Sequence, residues 1–238
     1  MYGLNTFALL IVIGILYFVS IVSKEKEYMQ NRIILVLSIL LISINGYMFY
    51  LRPKEIPVEF STITYFVSSV IFILRIKYIE IWAVYSAVMA GVFYYLTVLV
   101  TGGNTYEFYS HSNVYIALFS HGSLLFMGLL KLKTTKYNQN LSFVIIIGNL
   151  LILAWALYIR PAITYNERIF IYELIDGKYL NQLDTSFIFI IKPVYYILVS
   201  FFVYKSSKVI FKVNEKLYLN DKRDMFMRQE KKYDSQSY

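Results

Sequence analysis

The chain has 238 residues, of which 58% are hydrophobic and 16% charged, with a mean hydropathy of +0.54; a soluble domain carries about 25% charged residues. Cysteine is absent and only two histidines occur, His111 and His121, which excludes disulfides, thiolate zinc sites, a cysteine nucleophile and a histidine-rich metal centre. The formal net charge of +8 does not point to nucleic acid, because the basic residues gather at the ends of apolar blocks and in the C-terminal tail, where they suit anionic lipid headgroups.

Seven apolar blocks are each about long enough to span a bilayer. In chain order they are Leu4–Val22, Ile33–Leu51, Val58–Leu74, Ile79–Val100, Val114–Leu130, Leu141–Ile159 and Phe187–Tyr204. The first is expected to be a span rather than a signal peptide: it lacks a basic start, and Ser23-Lys24-Glu25-Lys26-Glu27 follows where a cleavage site would stand. The expected fold is therefore an all-α integral membrane protein, with residues 1–205 as the helical domain and 206–238 as a basic tail. From Asn214 the tail is charged enough to predict fraying into solvent.

Orientation follows from the basic residues. Seventeen of the 23 lysines and arginines fall in the loops after blocks one, three and five and in the tail. That bias places those loops and the C-terminus in the cytoplasm and the N-terminus outside. Two external segments, Thr101–Asn113 and Arg160–Thr185, are long. Apolar Ile169–Ile175 predicts that part of the second covers the outer mouth. No internal repeat supports an inverted-repeat transporter.

Few residues in the blocks carry chemistry. Ala83, Ala87 and Gly91 lie four apart on one helix face, a spacing that favours close helix packing over a substrate crevice. Block three opens Pro57-Val58-Glu59-Phe60-Ser61. Glu59 suits the positive end of the helix dipole, and Ser61 is either a nucleophile or a serine bonded to its own helix. His121, inside block five, is a functional candidate because an ionisable side chain in hydrocarbon is costly. His111 sits in the outer loop between Ser110 and Ser112, where a solvated role is expected. By helical rise His121 lies about one turn deeper than Ser61, a mismatch that tilt and side-chain reach can bridge.

These features resemble the YwaF-type bacterial integral membrane proteins. Pro57-Val58-Glu59-Phe60-Ser61 is similar to that family's Pro-Leu-x-x-Cys motif. Glu80–Leu96, with Trp82 and Gly91, resembles its next helix. His111 and Ser120-His121-Gly122 resemble its paired-histidine and Ser-His-Gly signatures, and Asn149 and Arg160-Pro161 fall at the following helix and its exit. Animal relatives of the family include an acyltransferase acting on ether phospholipids. The resemblance implies acyl transfer through an acyl-enzyme, with Ser61 at the cysteine position and His121 as the base. Glu59, His111, Asn149 and Arg160 then surround the site, and Asn149 or a backbone carbonyl orients the imidazole. No cofactor is expected. Membrane lipids are the expected partners, the cell membrane the location, and the oligomeric state is open. The alternative is a non-enzymatic carrier or assembly partner. Blocks one and two offer a transport path little beyond Ser20, Ser38, Ser43 and Asn45.

Overall fold

The computed structural model describes residues 3–51, 57–101, 113–162 and 188–234. His111, the rest of residues 102–112, and residues 163–187, with the apolar Ile169–Ile175 expected over the outer mouth, lie outside these residues. Seven α-helices occur among the described residues: α1 (Gly3–Val22), α2 (Glu27–Leu51), α3 (Phe60–Leu74), α4 (Lys77–Thr101), α5 (Asn113–Thr134), α6 (Ser142–Ile159) and α7 (Ile188–Asp234). Six are long and apolar enough to cross a membrane, and α3, with 15 residues, is the shorter apolar helix.

The helices α4 and α5 form the centre. They pack on each other, and α1, α3, α6 and α7 lean on one or both of them. The small-residue stripe explains the close approach. Ala83 and Ala87 are completely buried, and a Cβ on Gly91 would stand 2.6 Å from Leu125 Cβ and 3.0 Å from the His121 carbonyl oxygen. The outer helices turn large apolar side chains outward, among them Leu10, Tyr17, Val36, Leu151 and Ile197. Contiguous apolar surface on this scale suits hydrocarbon rather than water.

The connections on the lysine-rich side are tied down by polar groups. Gln30 donates to the Ser23 and Glu25 carbonyls and holds the α1–α2 turn. After α3 the chain reverses through Arg75 in the left-handed region (φ 53°), while Ile76 N–H bonds back to Ile71 O, a helix ending usually made with glycine. Lys131 pairs with Glu80 at 2.7 Å, joining α5 to α4. The Tyr137 phenol lies beside them, and its burial and the Glu80 carboxylate push its pKa up.

The tail differs from its expectation. The last apolar block continues without a break as a 47-residue helix, and Asn214 is buried rather than frayed. Its Nδ2 donates to the Leu132 and Thr135 carbonyls, and its Oδ1 accepts from Tyr137 N–H. One side chain thus clamps the α5–α6 connection to α7, and Lys133 adds an ion pair to Asp221 at 3.5 Å. Asn214→Leu leaves three buried backbone groups without partners, at about 1–3 kcal/mol each. Thermal unfolding of the detergent-solubilised variant is expected to fall by roughly 5 °C or more, since about 1 kcal/mol moves the midpoint by about 2–4 °C at this chain length.

Candidate functional site

The segment Ser120-His121-Gly122 distributes its side chains among three neighbours. Ser120 accepts a hydrogen bond from Asn45 Nδ2 of α2 at 3.2 Å. Gly122 leaves room for the Tyr95 hydroxyl of α4, which a Cβ would meet at 2.8 Å, and that hydroxyl donates to the Leu118 carbonyl. His121 points between α3 and α4 and is 7% exposed. Tyr94 stacks on the imidazole, with centroids 3.8 Å apart and planes 8° from parallel.

The imidazole is held by two groups. Nδ1 lies 2.8 Å from the Ala117 carbonyl oxygen, one turn back on α5. A carbonyl only accepts, so Nδ1 carries the ring proton and Nε2 keeps the lone pair. The Tyr65 hydroxyl of α3 lies 2.8 Å from Nδ1 and 3.0 Å from Nε2. An oxygen so nearly equidistant from both nitrogens sits over the imidazole face left open by Tyr94.

Ser61 reaches this pair through Tyr65. The two residues are one turn apart on α3, and the Ser61 side chain interacts with the Tyr65 hydroxyl. Four residues of helix descend about 6 Å, so Tyr65 spans the depth difference between Ser61 and His121. The polar sequence is Ser61, Tyr65, His121 and the Ala117 carbonyl. Ser61 is half-buried, at the end of the bundle where α3 begins.

The other candidates are placed as follows. Glu59 precedes α3 in extended conformation and makes no side-chain cap to it. Asn149 lies elsewhere: its side chain interacts with the Tyr85 hydroxyl, which also meets Ser206 Oγ at 2.8 Å. Asn149 therefore belongs to the α4–α6–α7 junction, and the Ala117 carbonyl holds Nδ1. Arg160 is exposed at the end of α6, where a short 3-10 turn, Arg160–Ala162, begins. It shares an end of the bundle with Ser61, because Trp155 Nε1 donates to the Pro57 carbonyl at 2.9 Å. Tyr65 is the site residue that sequence reasoning missed. Its signal was the four-residue spacing from Ser61, which sets both on one helix face. Among the described residues no cluster of three or more histidine, aspartate or glutamate side chains could hold a metal ion.

Comparison with protein-family models, curated proteins and solved structures finds no match.

Proposed function

We propose that the protein is a multi-pass membrane enzyme that transfers or hydrolyses lipid acyl groups, with Ser61 as nucleophile and His121 as the base reached through Tyr65. The observation that carries this reading is the Tyr65 hydroxyl, which meets an imidazole whose protonated nitrogen is fixed by a backbone carbonyl and which interacts with Ser61 one turn away. The reading includes the proposed resemblance of Ser61 and His121 to the YwaF-type motifs, of which Tyr65 is not a part.

In the proposed reaction Ser61 Oγ attacks the ester carbonyl carbon of a lipid. Its proton passes to the Tyr65 oxygen as the Tyr65 proton passes to His121 Nε2. The oxyanion meets the N–H groups of Phe60, Ser61 and Thr62, which precede the first intrahelical bond of α3, from Ile63 N–H to Glu59 O. The carbon–oxygen ester bond breaks, and the leaving alkoxide takes the proton back through the relay. An acceptor hydroxyl, from water or a second lipid, then attacks the Ser61 ester; its proton passes through the relay to Ser61 Oγ as the acyl–serine bond breaks, releasing a free fatty acid or a new lipid ester. With the lysine-rich loops in the cytoplasm, Ser61 opens to the outer leaflet of the cell membrane. Arg160, at the same end, supplies a cation at headgroup level.

Two measurements test this reading. Purified protein in vesicles should exchange or release the acyl chains of a labelled phospholipid, and Ser61→Ala should abolish the turnover. Unchanged turnover in that variant refutes the nucleophile. For orientation, reporter fusions after Lys26, Lys77 and Lys136 should read cytoplasmic; an external signal from any of them reverses the assigned leaflet.

The close cover on His121 favours one second reading, a non-enzymatic carrier or assembly partner. There Tyr65 and His121 tie α3 to α5, and Ser61→Ala has no effect on lipid turnover because wild type has none.

A further inference from the structure

A slot of about 470 Å³ runs between α3 and α6, with α4 as its floor. Pro57, Val67 and Ile71 line one wall, Ile147 and Trp155 the other, and Trp82 the floor. Its lining is almost entirely carbon. The slot exists because α3 and α6 each pack on α4. Gly148 lets α6 seat directly on Trp82: a Cβ there would stand 2.1 Å from Trp82 Cδ1. At the α3 starting end, the hydrogen bond from Trp155 Nε1 to the Pro57 carbonyl bridges the two walls.

We propose that this slot is a binding site for a single acyl chain of a membrane lipid. It is separate from the Ser61 site, since Val67 and Ile71 lie on a different face of α3 from Ser61, Tyr65 and Ser68. Three observations select the occupant. From Val144 to Trp155 the α6 wall is about 17 Å long at about 1.5 Å per residue, close to half of a hydrocarbon core about 30 Å thick. The slot is therefore one leaflet deep. Its open edge continues into exposed apolar side chains on both walls, Val67 and Ile147 among them, so it joins the surface that meets hydrocarbon. The slot is too small to seat a whole helix from a second copy or another protein, since a helix about 10 Å across fills roughly 1300 Å³ over that length.

Both tryptophans of the chain line the slot, which provides the test. Trp155 is 39% exposed and open to any surrounding lipid, whereas Trp82 is 5% exposed and is approached by a chain from the slot. In vesicles containing phospholipid brominated along the acyl chain, Trp155→Phe protein should lose most of its remaining emission, and the quenching should saturate at low mole fraction of brominated lipid. Adding Val67→Phe and Ile147→Phe fills the slot from its open edge and should restore most of that emission. Trp155→Phe also removes the bond to Pro57, so wild-type protein supplies a second readout. A phospholipid with a photoreactive group in its chain should crosslink to α3 and α6 slot residues several-fold more than to the exposed α1 face at Leu10 and Leu16. Weak quenching that the filled slot leaves unchanged, or equal crosslinking to the slot and to α1, would show surrounding lipid only and overturn the proposal. Neither readout uses Ser61, so Ser61→Ala protein should behave as wild type in both.

Discussion

Tyr65→Phe is expected to slow the reaction of Ser61 with a fluorophosphonate probe by about 10²–10⁴-fold, the range that a positioned acid–base group contributes. In that reaction the Ser61 Oγ–phosphorus bond forms, fluoride leaves, and the serine proton must reach a base. The proposed relay would send it to His121 through the Tyr65 hydroxyl, and phenylalanine keeps the ring but removes the oxygen. His121→Ala should match this loss, and the double variant should be little worse than either single one, because the two act as one unit. The ring contacts of Tyr65 with His121, edge to face at 5.3 Å between centroids, survive in the phenylalanine variant. A loss there therefore reports on the hydroxyl and not on packing. Full labelling of Ser61 in Tyr65→Phe would mean that the proton takes another route.

The second large effect is expected at Gly91. Leucine there drives a side chain into Leu125 and the His121 carbonyl, at contacts of 2.6 and 3.0 Å for the Cβ alone. One obstacle is backbone, so the helices α4 and α5 must separate. Overpacking a core costs about 1–3 kcal/mol and occasionally more, and this crossing lies at the centre of the bundle. Gly91→Leu should lower the unfolding midpoint by roughly 5–10 °C, whereas Gly14→Leu on α1, where a Cβ meets nothing within 4 Å, should change it little. Equal midpoints for the two variants would contradict the packing described here. Because the His121 turn is part of the contact, Gly91→Leu should also slow labelling of Ser61.

How far the sequence revealed this architecture differs from element to element. Long apolar runs placed all seven helices, since few other structures use about 20 such residues in a row. Helix α2 begins at Glu27, six residues before its apolar block. Charged residues lower hydropathy but do not end a helix, so block and helix diverge there. The same effect hid the extent of α7. Ser207, Ile210, Phe211, Asn214 and Asp221 are buried at helical spacing, but the lysines among them read as a solvated tail. The stripe of Ala83, Ala87 and Gly91 was legible as packing, because small residues four apart have one main use between helices.

The site was legible in part. Ser61 and His121 stand out as polar residues in apolar blocks. Tyr65 did not, because tyrosine is one of 24 in the chain and is at home on a buried helix face as well as at an interface. Asn149 was expected to orient the His121 imidazole, with a backbone carbonyl as the alternative, and the arrangement of α4, α6 and α7 brings it to Tyr85 instead. The slot between α3 and α6 has no sequence signal, since its walls come from helices that are not neighbours in the chain.

The most direct test of the central claim is to locate the fluorophosphonate adduct by peptide mass spectrometry, using full-length protein in lipid vesicles. The account predicts one principal adduct, on the Ser61 side chain, that disappears in His121→Ala. No adduct, or an adduct spread over other serines and unaffected by His121→Ala, would contradict a Ser61 nucleophile served by His121.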